Sequence, residues 1–136
     1  MPLRKIKLLV VENKVEVRNY LLRVLVKLTL VESLRWVSSG EEAVNHYRHI
    51  RPDIILIGET SAGVMSGLET ARWIREQNSA IRILIASSQI RAAFIAAGTG
   101  LFIDGHISVT ASPSTFEDVI RVIMHDRLLT DMQNMN

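Results

Sequence analysis

The stretch that decides the fold is Pro52-Asp53-Ile54-Ile55-Leu56-Ile57-Gly58-Glu59. Its four consecutive aliphatic residues, Ile54–Ile57, lie between a proline–aspartate pair and a glycine. A short, continuous apolar run with turn residues at both ends predicts a strand that is buried on both faces, as in a parallel sheet. The strand leads into a loop that the segment Val64-Met65-Ser66-Gly67-Leu68-Glu69 closes.

Apolar runs of strand length alternate along the chain with segments whose apolar residues recur at helical spacing. The predicted strands are Ile6–Val11, Leu30–Val37, Ile54–Ile57, Ile81–Ala86 and Leu101–Ile103. The predicted helices are Lys14–Leu28, Gly40–Ile50, Gly67–Gln77, Gln89–Ala97 and Thr115–Leu129. This alternation predicts an α/β fold in which helices cover both faces of one parallel sheet.

Four of the predicted helices begin with a polar motif that stabilises a helix start. In each motif an Asn or Ser precedes a glutamate by three residues: Asn13–Glu16, Ser39–Glu42, Ser66–Glu69 and Ser114–Glu117. The first side chain accepts a hydrogen bond from a free amide of the first turn, and the glutamate reaches back to the helix start. The sequence therefore predicts that these Asn and Ser residues are N-caps.

Length and composition indicate one globular domain. The chain has 136 residues, of which 48% are hydrophobic and 22% charged, enough apolar material for one core. It has no cysteine, which excludes disulfide and thiolate chemistry, and no apolar run approaches the length that spans a bilayer. A formal charge of only +2 gives little support for direct nucleic-acid binding. We expect a cytoplasmic protein, with one domain over residues 1–129 and a flexible tail or linker over 130–136.

The candidate functional site lies beyond the carboxyl ends of the strands, where open parallel sheets bind their ligands. Six residues mark this edge: Glu12 and Asn13 after the first strand, Gly58 and Glu59 after the third, Ser87 after the fourth and Gly105 after the fifth.

Six segments resemble, in order and spacing, the receiver domains of bacterial response regulators, the CheY-like family. The segments are Leu8–Asn13, Ser38–Ala43, Met65–Glu69, Ile83–Ser87, Ala97–Ile103 and Ser112–Glu117. The resemblance implies a flavodoxin-like (βα)5 doubly wound parallel sheet with strand order 2-1-3-4-5. It also implies a part in two-component phosphorelay signal transduction, as a signalling module and not as an enzyme.

The resemblance assigns roles that this chain fills poorly. In the family, an aspartate at the end of the third strand accepts the phosphoryl group and holds a divalent cation together with two further acids. Glu12 keeps one of those acids, whereas Asn13 lacks the charge of the other. The acceptor aligns with Gly58 when counted forward along the strand, and with Glu59 when counted back from Gly67.

Two further family residues complete the comparison. The lysine that pairs with the phosphoryl oxygens aligns with Gly105, whereas Ser87 retains the hydroxyl that hydrogen-bonds them. Phosphoryl transfer depends on placed charge, which this chain has largely lost. We therefore expect a degenerate pseudo-receiver that is independent of phosphorylation and has no cofactor; magnesium is doubtful, and Glu12 is its one weak candidate ligand.

The predicted fourth helix suggests an interaction surface. From Ile90 to Gly98 its only charge is Arg91, so part of its apolar surface stays exposed unless a partner covers it. In receivers, the surface formed by the fourth helix, fifth strand and fifth helix is the usual contact with partners. We predict a protein partner or a second copy of the chain, as in a homodimer, on this face. Its predicted residues are Ile90, Phe94, Ile95, Val122 and Phe102, the last aligned with the family's switch aromatic.

Three alternatives remain open. The chain could be a true phosphoreceiver that uses Glu59 as a displaced acceptor, with Glu12 holding the metal. It could bind a flavin or another small molecule, as flavodoxins do, although Glu12-Asn13-Lys14 is unlike their hydroxyl-rich phosphate loop. It could also be the receiver part of a longer transcriptional regulator.

Overall fold

The structure is a computed structural model that describes residues 5–58, 63–87 and 102–134, with the helix path alone for residues 126–134. The strands are β1 (Ile6–Val11), β2 (Val31–Val37), β3 (Ile54–Gly58), β4 (Arg82–Ser87) and β5 (Gly105–Ser108). The described helices are α1 (Val15–Val26), α2 (Gly40–Ile50), α3 (Gly67–Gln77) and the C-terminal helix (Pro113–Asn134). The strands form one parallel sheet in the order β2-β1-β3-β4-β5, which confirms the predicted flavodoxin-like fold. The predicted fourth helix, Gln89–Ala97, lies outside the described residues.

The sheet separates two apolar layers. On one face, α1 and the C-terminal helix pack through a cluster that includes Leu21, Leu25 and Phe116. On the other face, α2 and α3 pack through a cluster that includes Tyr47 and Ile74. Every residue of β3 is buried, and its side chains alternate between the two layers because successive strand residues point to opposite faces. Burial on both faces explains why its sequence is continuously apolar.

Two of the four predicted helix caps are confirmed. Ser39 Oγ accepts a hydrogen bond from the Glu42 amide at 3.1 Å, and Ser66 Oγ accepts one from the Glu69 amide at 3.1 Å. Glu42 Oε2 in turn accepts from the Ser38 amide at 3.1 Å. The starts of α2 and α3 are therefore stabilised by the local motifs that the sequence contains.

The predicted cap at Asn13 is wrong. The N-cap of α1 is Lys14, whose side chain makes no capping hydrogen bond. A side chain reaches the amides of the first turn from the cap position. Because the helix begins at Val15, Asn13 lies one residue before that position.

The predicted cap at Ser114 is also wrong, by two residues. The C-terminal helix begins at Pro113, and Ser112 Oγ accepts from the Thr115 amide at 3.2 Å. Proline suits the first helical position because its ring presets the backbone angle and no amide hydrogen bond is lost there. The cap is therefore Ser112, and Ser114 lies inside the first turn.

The predicted fifth strand, Leu101–Ile103, is also wrong, because β5 starts at Gly105. The apolar residues Phe102 and Ile103 pack against the α2–α3 layer before the strand begins. Asp104 then joins the sheet: its amide donates to the Ile83 carbonyl at 2.8 Å, and its Oδ2 accepts from the Ile83 amide at 2.7 Å. Hydrophobicity alone therefore identified the apolar residues that precede the strand and missed the strand itself.

We predict that Ser112→Ala lowers the free energy of unfolding by about 1 kcal/mol, because it removes the cap of the C-terminal helix. Ser114→Ala is the matched control and should change stability by less than about 0.5 kcal/mol. Urea denaturation of both variants measures the difference. A larger loss in Ser114→Ala would contradict the position of the cap.

Candidate functional site

Strand pairing brings Glu12, Gly58 and Ser87 to the same edge of the sheet. Val11 lies opposite Ile57, so Glu12 leaves β1 beside the last residue of β3. Gly58 pairs with the penultimate residue of β4, and Ser87 ends that strand. Three of the six sequence-predicted site residues therefore lie together where the central strands end.

The Glu12 carboxylate fills the space that a side chain at position 58 would need. Glu12 is only 3% exposed. A Cβ atom built on Gly58 would overlap Glu12 Oε2, and it would lie 2.7 Å from Glu12 Cδ. Carbon atoms in ordinary contact are about 3.5–4.0 Å apart. With Glu12 in this position, only glycine fits at the end of β3.

The register of β3 bears on which residue occupies the acceptor position. β3 pairs with β1 and with β4 without a register shift as far as Gly58. Gly58 is therefore the last residue of the strand, at its carboxyl end. Glu59, the alternative from the backward count, lies outside the described residues. Asn13 follows Glu12 and is exposed.

Gly105 is not at this edge. It begins β5, opposite Leu84, whereas Ser108 ends the strand opposite Ser87. The next residue, Val109, donates its amide to the Ser87 carbonyl at 2.9 Å. A side chain that reached the pocket from β5 would have to come from that end, and the chain has no lysine after Lys27. No alignment of this chain can supply the lysine of the receiver pocket.

An apolar cleft lies where β5 approaches this edge. Val109 lines it together with Val17 and Tyr20 of α1, and its volume is about 290 Å³. The Tyr20 hydroxyl donates to the Ala111 carbonyl at 3.2 Å, which ties α1 to the segment before the C-terminal helix. The surroundings of Val109 are therefore aliphatic and aromatic, with Glu16 and Thr110 completing the lining.

The described residues at the ends of β1 and β3 do not fit the cation site that receivers use. That site takes oxygen ligands from three acids, and hard cations such as Mg²⁺ depend on such ligands. Here Glu12 is a buried carboxylate, Asn13 is an amide and Gly58 has no side chain. Within residues 5–58, 63–87 and 102–134, no cluster of three or more His, Asp or Glu could hold a metal ion.

Sequence reasoning missed one well-defined feature beside the pocket. Glu41, in the first turn of α2, accepts hydrogen bonds from the backbone amides of Val64 and Met65, in the loop between β3 and α3. These bonds, above all the one from Met65, hold the pKa of Glu41 below its ordinary value. In the sequence, Glu41 is only a second acid beside the capping Glu42, so no local pattern indicated this contact.

The described part of the predicted interaction face is a groove between β5 and the C-terminal helix. Its volume is about 410 Å³, and Val119, Val122 and Ile123 line it together with His106 and Asp118. Val122 is 63% exposed, whereas Phe102 is half-buried against the α2–α3 layer and lies before β5, not on it.

The other predicted residues of this face, Ile90, Phe94 and Ile95, lie outside the described residues. In the part of the chain that is described, no helix has the length and apolarity to cross a membrane.

Comparison with known proteins agrees with the geometry. A sequence profile of the response regulator receiver domain matches residues 8–121. No curated protein sequence matches the chain. Among solved structures, the fold is similar to a LuxR-family two-component response regulator from an Aurantimonas species, with 24% identity, a TM-score of 0.81, and coverage of 90% of this chain and 87% of that one.

Two further structures show the same architecture. One is the signal receiver domain of a modulated diguanylate cyclase from Desulfovibrio desulfuricans, with 23% identity, a TM-score of 0.81, and coverage of 93% of this chain and 98% of that one. The other is a chemotaxis response regulator from Vibrio cholerae, with 19% identity, a TM-score of 0.75, and coverage of 88% of this chain and 98% of that one. The profile match runs from β1 into the C-terminal helix, so the chain belongs to the response regulator receiver domain family.

Proposed function

We propose that this receiver domain signals through protein contacts without phosphorylation of its pocket. Receiver domains are signalling modules that interact with other proteins. The observation that carries the proposal is the position of Glu12, whose carboxylate fills the volume beside Gly58 that an acceptor side chain would need. The domain would therefore be a pseudo-receiver whose pocket is closed by its own side chain.

The residue types at the pocket support the same proposal. Phosphoryl transfer is catalysed mainly by cations and hydrogen-bond donors placed around the transferred group. Here β3 ends in Gly58, Asn13 stands where the resemblance places a second acid, and Val109 follows β5. Ser87 alone keeps the residue type that receivers use to hydrogen-bond a phosphoryl oxygen. We propose that the domain needs no magnesium and no other cofactor for its function.

The groove between β5 and the C-terminal helix is the surface that we propose for the partner. Val122 exposes 63% of its surface there beside the apolar residues Val119 and Ile123. Val119 is partly buried, Ile123 is buried, and His106 and Asp118 border the groove, so Val122 is the residue that we expect a protein partner to cover. The partner would be another protein of the signalling pathway or a second copy of this chain.

The first prediction concerns the phosphoryl mimic beryllofluoride. We expect that titration with magnesium and then beryllofluoride leaves the amide NMR signals of Glu12, Gly58 and Ser87 unchanged, because the acceptor volume is already filled. Saturable shifts at these residues that extend to Phe102 would show a working switch. In that case the displaced acceptor Glu59 would become the leading candidate, and mass spectrometry after acetyl phosphate treatment would test it.

The second prediction concerns the contact between Glu12 and Gly58. Gly58→Ala should destabilise the domain, because the new Cβ displaces the Glu12 carboxylate. The same substitution in a Glu12→Ala background should be tolerated much better. Unfolding free energies from a double-mutant cycle should give a coupling of about 0.5–3 kcal/mol. Additive effects would show that Glu12 does not occupy this space in solution.

The third prediction concerns the groove. Val122→Glu should weaken self-association or partner binding by about tenfold or more, because it places a charge in an apolar contact. Val26→Glu is the matched control, since Val26 is 68% exposed on α1, away from the groove. Sedimentation velocity and quantitative co-purification measure binding, and thermal unfolding checks that both variants are folded. Equal behaviour of the two variants would exclude this surface.

A further inference from the structure

The contact between α2 and the loop that precedes α3 is built around one carboxylate. Glu41 Oε1 accepts from the Val64 amide at 2.8 Å and from the Met65 amide at 2.6 Å. Val64 and Met65 lie 23 and 24 positions after Glu41 in the chain, so the contact is tertiary and not part of either helix. Hydrogen bonds to an ionised acceptor are roughly twice as strong as neutral ones.

Two glycines allow the carboxylate to come so close. Gly63 has a φ angle of +96°, a conformation that other residues avoid, and a Cβ there would overlap Glu41 Oε2 and lie 2.9 Å from its Cδ. At the start of α2, a Cβ on Gly40 would overlap Thr70 Oγ1 and lie 3.2 Å from Met65 Cβ. The loop and the first turn of α2 therefore fit each other closely on both sides of Glu41.

The neighbouring acid serves a different purpose. Glu42 Oε2 accepts from the Ser38 amide, immediately before its own helix, and makes no contact of this kind with the loop among the described hydrogen bonds. The two adjacent glutamates thus have different roles, Glu42 in a helix cap and Glu41 in a tertiary contact. This division provides a matched control within one helical turn.

We propose that Glu41 is a latch that holds residues 63–65, shortly before α3, in a single conformation through its contacts with Gly63, Val64 and Met65. The loop that contains them follows Gly58 directly, at the edge where receivers carry their phosphorylation chemistry. A fixed side chain of α2 would thus set the geometry of residues 63–65 without any ligand. The latch itself does not depend on the proposed function; the consequence that the edge keeps one state without phosphorylation does rest on it.

The charge of the latch gives it a defined pH dependence. The Met65 amide, and to a lesser degree the Val64 amide, lowers the pKa of Glu41 from its ordinary value of 4.5. A carboxyl group whose pKa is lower in the folded state stabilises that state above its ordinary pKa, and this contribution is lost as the pH falls through the lowered value. Glu42 carries a second carboxyl group in the same helical turn, so variants must separate the two acids.

The test is hydrogen exchange of the Val64 and Met65 amides, measured by NMR on the full chain. Glu41→Ala should speed their exchange by about tenfold or more, and Glu41→Gln should have a smaller effect because it keeps an oxygen but loses the charge. Glu42→Gln should leave both amides unchanged. Protection of the Ile74 amide within α3 shows that each variant is folded, and Gly63→Ala, which obstructs Glu41, should reproduce the loss.

Acidification provides an independent readout. The Val64 and Met65 amide signals of the natural chain should shift as the pH falls below the ordinary carboxyl range, and those of Glu41→Gln should not follow this titration. If the Val64 and Met65 amides exchange at the same rate in Glu41→Ala as in the natural chain, the latch is overturned, whether or not the domain responds to beryllofluoride. Conversely, a response to beryllofluoride with an intact latch would overturn the proposed function alone.

Discussion

The burial of β3 on both faces is the constraint on which the rest of the structure depends. Its backbone pairs with β1 on one side and β4 on the other, and its side chains pack into both apolar layers. A one-residue shift of this strand would move every side chain to the opposite layer, where the neighbouring side chains are packed around different shapes. The position of its last residue, Gly58, at the carboxyl edge between the ends of β1 and β4 follows directly from this.

The chemistry of that edge depends on which of two strands provides the carboxylate at its centre. In receivers the acidic group at the centre of the pocket belongs to the third strand. Here β3 ends in glycine, and the carboxylate in the corresponding space comes from Glu12 of the segment after β1. The glycine permits this placement of Glu12, because a Cβ at position 58 would overlap the carboxylate where it now lies. The fold of a receiver is retained, and we propose that the centre of its pocket serves packing in place of phosphoryl transfer.

Local sequence patterns predicted the architecture well, and their failures have physical causes. The continuous apolar run of β3 and the caps at Ser39 and Ser66 depend on neighbours within a few residues, so they can be read from the chain. The start of β5 depends on pairing with β4, and the apolar residues Phe102 and Ile103 before it serve the core instead. The cap at Ser112 was hidden because the Ser114–Glu117 spacing fits the same motif two residues later.

The sequence by itself determined that this chain is an α/β receiver-type domain, that its third strand ends in glycine and that no lysine is available to its fifth strand. Those facts are properties of residue type, order and periodicity. Tertiary structure alone decided that Glu12 fills the space beside Gly58, and that Glu41 rather than Glu42 holds the loop before α3. Such contacts join residues more than twenty positions apart. They depend on the distance between side chains in the packed sheet and helices, which no local pattern encodes.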